Sequence, residues 1–290
     1  MSTFAHQFFS GLAMGGVYAI LALALVMIYQ ATHLVNFAQG EMAMFATYMA
    51  WNMMDSGLPY WAAFGLTVVL SFAAGVIIER VIVRPFAKAP VLSMVIVFIG
   101  MVFIFNSVVG WIYGYEIKDF RSPFPEKAWF GNTLMSSHES GVIVVTFLVL
   151  ALVYGFFRFT PLGLAMRAAA QNPASSRLVG IKVGWMLALG WGLAAAIGSI
   201  AGMMAAPVVY LDPNMMSSLL LYGFAAAVLG GIDNPWGAVA GGFIVGVMQN
   251  LVGAYLVGTQ IQLSVALVII IGVLVMKPSG LFGRVIVTRV

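Results

Sequence analysis

The chain has 290 residues, 62% of them hydrophobic and 8% charged, with a mean hydropathy of +1.04, whereas an ordinary soluble domain carries about 25% charged residues. A water-soluble surface cannot be built from that composition. The net charge of +4 is spread between apolar stretches instead of forming one patch, which excludes a nucleic-acid surface, and the absence of cysteine excludes disulfides and thiolate metal sites.

A bilayer core about 30 Å thick is crossed by about 20 apolar residues in a helix. Residues 1–40 carry no Asp, Glu, Lys or Arg, and with no basic region ahead of them they are expected to remain as a span, not to be cleaved as a signal. In chain order, apolar length predicts spans at Ala5–Tyr29, Phe37–Met54, Tyr60–Ile78, Val91–Tyr115, Gly141–Phe157, Gly184–Ala206, Met216–Gly231, Trp236–Val257 and Ile261–Met276. The segments are continuously apolar, so they read as helices and not as the alternating strands of a barrel. The expected fold is an all-α membrane protein, a polytopic helical bundle of about 8–9 transmembrane spans with broken or re-entrant helices, residues 1–290 forming a single transmembrane domain. Residues 28–40 are the stretch that would dip into the membrane as a broken helix.

Charge orients these spans, because short cytoplasmic loops are rich in Lys and Arg. Arg80, Arg84 and Lys88 fall in one loop, Arg158, Arg167, Arg177 and Lys182 in another, and Lys277, Arg284 and Arg289 in the C-terminal tail, accompanied only by Glu79. The loop from Glu116 to Ser140 instead mixes Lys118, Arg121 and Lys127 with Glu116, Asp119, Glu126 and Glu139. Alternation then predicts an external N-terminus, an external 116–140 loop and a cytoplasmic C-terminus. Glycines at helical spacing, Gly11/Gly15, Gly198/Gly202, Gly237/Gly241 and Gly242/Gly246, predict close helix packing.

No G-x-x-x-x-G-K-[ST] loop, H-E-x-x-H zinc site or G-x-S-x-G elbow is present, and His6, His33 and His138 are far apart. That argues against a membrane enzyme. Intramembrane polar residues are the next candidates, since ionisable groups at membrane depth often line pathways. Asn36, Gln39 and Glu41 stand together in H-L-V-N-F-A-Q-G-E, with Gly40 placed to interrupt a helix and Glu41 in the first turn of the next piece. Glu41 reads either as complementing that helix's positive end or as a pathway or gating group. Asn106, Gln249 and Asn250 complete the polar set. Asp212-Pro213 fits an N-cap followed by a first-turn proline, and Asp233-Asn234-Pro235 a tight turn.

Residues 160–182, T-P-L-G-L-A-M-R-A-A-A-Q-N-P-A-S-S-R-L-V-G-I-K, hold two N-cap-plus-proline pairs, Thr160-Pro161 and Asn172-Pro173, with Gly180 placed to close the second helix. This predicts a cytoplasmic helical hairpin whose faces carry Leu162, Leu164, Ala165, Ala169, Ala174, Leu178 and Val179 beside Arg167 and Arg177. An amphipathic loop on the headgroups and a docking knob for a cytoplasmic partner fit these residues equally.

Gly11–Tyr29, Val35–Ala46, Gly163–Ile181, Ala225–Gly242 and Met276–Gly283 together resemble the branched-chain amino-acid (LIV-type) ABC permease family, H-type subunit. The resemblance implies the permease of an ATP-driven importer in the bacterial inner membrane, working with a second permease subunit, two cytoplasmic ATP-binding subunits and an external solute-binding protein. It also implies that ATP is bound by partner subunits, with no cofactor in this chain. It further assigns residues 160–182, with Leu164, Arg167, Ala169, Ala174, Arg177, Leu178 and Gly180, to ATPase coupling. Gln39 stands where family members often have His, so no histidine role transfers. Related permeases serve branched-chain and other amino acids, urea or amides, and aromatic acids. A secondary transporter is the alternative from another class, and it asks for more ion-binding acids than Glu41.

Overall fold

The computed structural model describes residues 2–125, 135–257, 262–277 and 279–283; the charges expected at Glu126, Lys127, Arg284 and Arg289 lie outside them. Helices stand at each expected span: α1 (Ser2–Thr32), α2 (Gln39–Asp55), α3 (Tyr60–Ile78), α4 (Val91–Tyr113), α5 (Ser137–Phe159), α8 (Val183–Val209), α9 (Met215–Gly230), α10 (Pro235–Val252) and α11 (Gln262–Met276). Two short helices, α6 (Pro161–Gln171) and α7 (Pro173–Leu178), form the expected hairpin. Six of the described helices are long and apolar enough to cross a membrane. α2 and α9 have 17 and 16 residues and the described part of α11 has 15; at 1.5 Å per residue, α2 and α9 fall short of the hydrocarbon core.

The break expected at Gly40 lies earlier. α1 stops at Thr32, His33 takes the left-handed conformation (φ 56°), and its N–H donates to the Tyr29 carbonyl at 2.7 Å. The Asn36 side chain then accepts from the Ala38 N–H at 3.0 Å, an Asx turn that launches α2 at Gln39. Gly40 is therefore helical, and Glu41 does sit in the first turn. Asp212 likewise accepts from Asn214 N–H at 2.7 Å, but α9 begins only at Met215, so Pro213 belongs to the turn ahead of the helix.

The chain divides into two compact units, one comprising Met1–Val26, Phe124–Thr146 and Ser218–Val290, the other Met27–Pro123 and Phe147–Ser217. In the first, α1 and α10 touch backbone to backbone: a methyl on Gly11 would lie 2.9 Å from Val247 Cα, and one on Gly15 2.9 Å from Phe243 Cα. Tyr18 stacks on Tyr222 of α9 with ring centres 5.0 Å apart.

In the second, α8 packs against α3 and α2. A methyl on Gly75 would lie 2.6 Å from the Trp191 carbonyl and 2.9 Å from Gly192 Cα. The two ends of α8 meet different charges. Near its start, Arg80, on the π-helical turn Glu79–Val83 that continues α3, lies 3.5 Å over the Trp185 ring. Just beyond its other end, Leu211 exchanges backbone hydrogen bonds with Lys118 at 2.9 and 3.2 Å, the isolated bridge of the described residues. A 27-residue helix separates them by about 40 Å, so the basic loop and the mixed-charge loop occupy opposite ends of this unit, as alternating spans require.

Gly75→Val is expected to lower stability by about 3 kcal/mol through overpacking of the α3–α8 crossing. Gly65→Ala on the same helix, where no atom lies within 4 Å of the added carbon, is expected to be neutral or slightly stabilising. Thermal unfolding of the two variants in detergent checks both; similar midpoints would remove the packing argument.

Candidate functional site

Six polar residues were candidates for the pathway, and the units divide them. Gln249 and Asn250 belong to the first, on α10 beside α1. Tyr18 Oη donates to Gln249 Oε1 at 2.6 Å, and Asn250 Nδ2 donates to the Gln7 carbonyl at 2.6 Å and to Gln7 Oε1 at 2.8 Å. Their hydrogen bonds hold helices together, as polar side chains do in lipid.

Asn36, Gln39, Glu41 and Asn106 belong to the second unit. Asn36 and Gln39 are fully buried. Asn36 Nδ2 donates weakly to Gln39 Oε1 at 3.5 Å, and Gln39 Nε2 donates to the Ala194 carbonyl of α8 at 3.0 Å. Gln39 reaches that carbonyl because Gly198, one turn on, has no side chain to stand in the way of its amide. Asn106, on α4, donates to the Pro213 carbonyl at 2.8 Å and to Asn214 Oδ1 at 3.2 Å, and its side chain also acts on the Glu41 carboxyl. Glu41 is 6% exposed, and its Oε2 has no hydrogen-bond partner. A buried carboxyl oxygen left unsatisfied is costly, and it marks Glu41 as the one member of the set whose bonding is incomplete.

The hairpin is built as its sequence requires. Thr160 Oγ1 accepts from Gly163 N–H and Asn172 Oδ1 from Ser175 N–H, both at 3.0 Å, and Gly180 adopts φ 83°. Gly163, Met166 and Ala169 form the buried row of α6, with Gly163 against Phe156 and Phe157 at the end of α5 and Met166 toward Gly190 of α8. Ala169 is only 1% exposed, so it seats the hairpin on its own chain and does not face outward. The outward residues are Leu164, Arg167, Ala174, Arg177, Leu178, Val179 and Gly180, with Leu164 60%, Val179 76% and Leu178 88% exposed. Met166, Arg167 and Ala170 line a cavity of about 40 Å³ together with Met27 and Gln30 from the end of α1. The hairpin thus abuts the last turns of the helix that leads into the Asn36–Glu41 turn.

Residues 7–275 match the family model described as branched-chain amino acid transport system / permease component. The chain belongs to this family. It is 30% identical to the high-affinity branched-chain amino acid transport system permease protein LivH of Escherichia coli K12, over 99% of this chain and 98% of that protein. It is 31% identical to the permease protein BraD of Pseudomonas aeruginosa, over 98% and 97%. A probable branched-chain amino acid transport permease of Methanocaldococcus jannaschii is 28% identical, over 91% and 88%. Among solved structures, PsaBC from Streptococcus pneumoniae in complex with Fab is similar in fold, with a TM-score of 0.50, 11% identity and coverage of 90% and 88%.

In this permease Gln39 ties the polar turn to α8 by its hydrogen bond to the Ala194 carbonyl. Gln39→Leu keeps the volume and removes the bond to Ala194, so it is expected to lower stability by about 0.6–1.5 kcal/mol. Unfolding in mixed micelles measures this; an unchanged unfolding midpoint would show that the bond does not fix α2 on α8.

Proposed function

We propose that this chain is the membrane-spanning subunit of an ATP-driven importer of amino acids, branched-chain ones first, in the bacterial inner membrane. The observation that carries the reading is the match to a transport-permease family along almost the whole chain, with relatives of about the same length. It does not favour a secondary transporter, the alternative. An external binding protein delivers the solute, a second permease subunit completes the path, and two cytoplasmic ATP-binding subunits supply the energy and bind the ATP.

In this reading Asn36, Gln39, Glu41 and Asn106 border the path. Glu41 supplies the responsive group, because one carboxylate oxygen is free while Asn36, Gln39 and Asn106 already hold partners. The hairpin of α6 and α7 receives the ATPase. Its exposed leucines and valine make the contact, Arg167 and Arg177 orient it, and buried Ala169 belongs to the face that packs on this chain. Movement of the hairpin reaches the polar turn through the end of α1.

Cells carrying the complete transporter are expected to accumulate L-leucine in an ATP-dependent manner, in preference to urea or benzoate. Uptake that survives ATP depletion and collapses with the ion gradient would favour the alternative. Glu41→Gln keeps shape and removes the charge, and is expected to lower uptake roughly tenfold with the amount of membrane-inserted protein nearly unchanged. Wild-type uptake would confine Glu41 to its helix end.

Leu178→Asp places a charge where a partner would have to desolvate it. It is expected to abolish copurification of the ATP-binding subunits while membrane insertion stays intact. Full assembly in this variant would leave the hairpin an amphipathic surface loop.

A further inference from the structure

At the end of the second unit away from Arg80 and Trp185, the last turns of α2 and the segment after α4 border an open cleft of about 460 Å³, lined by Trp51, Met54, Asp55, Lys118, Asp119 and Arg121. This size falls in the range of small-molecule sites. The walls are fixed by the fold. Lys118 is held by its paired backbone bonds to Leu211, Trp51 Nε1 donates to the Asp119 carbonyl at 3.1 Å, and neighbouring Phe120 is buried. The Lys118 ammonium lies 4.9 Å from the centre of the Trp51 ring.

Two acids and two bases thus face one cleft with no net charge. Among the described residues, none of the four is engaged in an ion pair. Opposite charges around a common space, unpaired among the described residues, complement a ligand that carries both signs. Trp51 and Met54 add an apolar wall.

We propose that this cleft is a binding site for the zwitterionic head of a free α-amino acid, occupied on the face predicted to be external, before the solute enters the path. Arg121 and Lys118 receive the carboxylate, Asp55 and Asp119 the ammonium, and an aliphatic side chain lies on Trp51 and Met54. A ligand bearing one charge would leave a pair of wall charges unmatched, so the site rejects amides and simple acids of the same shape. The inference rests on the amino-acid reading above.

The test uses the whole transporter in nanodiscs, permease and ATP-binding subunits without the external binding protein, and equilibrium binding of L-leucine, L-leucinamide and 4-methylpentanoate. L-leucine is expected to bind at least about tenfold more tightly than either analogue. Arg121→Gln and Asp55→Asn, both exposed positions, are each expected to weaken leucine about tenfold, and Arg121→Lys to retain most of the affinity. Equal affinity for the three compounds, or unchanged leucine binding in both neutralised variants, overturns the proposal. Variants that keep leucine binding and lose the external binding protein would make the surface a docking contact, which also overturns it. If wild-type transporter takes up leucine with its binding protein but binds none in nanodiscs, the site fails alone; if it neither binds nor transports leucine, the amino-acid reading fails with it.

Discussion

Backbone contact along α8 is what the second unit depends on. In lipid there is no hydrophobic drive between helices, so close van der Waals approach and interhelical hydrogen bonds must hold them. With Gly192 against Phe72 and Gly75 against Trp191, α3 and α8 meet where neither has a side chain. On the neighbouring face, Gly198 and Gly202 leave room for Gln39 and Thr47 of α2. The polar residues near the proposed path are therefore positioned by residues that contribute no chemistry. A small-residue helix is the frame, and polar side chains of its neighbours use the space it leaves.

The same helix connects the two ends of the unit. Its first turn begins directly after the α6–α7 hairpin, and Trp185 and Gly184 there meet Arg80 and Arg84 from the end of α3. The π-helical turn at Glu79–Val83 makes that end of α3 irregular, as such turns often do where function is served. At the far end, Tyr210 closes α8 in the left-handed conformation (φ 64°), and Leu211 then pairs with Lys118. The hairpin thus adjoins both the end of α1 and the start of this 27-residue helix.

Much of this was legible in the residues. Apolar length found the helices because the bilayer leaves backbone groups no other way to be satisfied. Thr160, Asn172 and Gly180 announced the hairpin because capping and positive φ are local chemistry. What escaped depended on distant partners or on residues without a signal. His33 takes a conformation that no pattern marks, so the break was expected at the nearest glycine. Ala169 suits either side of a helix; only its three-residue spacing from Gly163 and Met166, all inward, shows where it points. The partners of Gln249 and Asn250 lie 231 and 243 residues away, beyond the reach of any local pattern. The charges at 118–121 served to orient the loop, while their convergence with Trp51 and Asp55 required the tertiary fold.

The Tyr18–Gln249 hydrogen bond also bears on how the molecule is made. α1 precedes α10 in synthesis, and 89% of its most apolar 18-residue window is buried in the finished fold. The Gln249 that meets Tyr18 follows 231 residues later, about 10–50 s at ordinary synthesis rates. Through that interval α1 lacks α10 against its glycine face, and its tyrosine hydroxyl lacks this acceptor. A chain of this design gains from an insertion machinery that shelters early helices, and substitutions along Gly11 and Gly15 would show their harm during biogenesis, before transport could be measured at all.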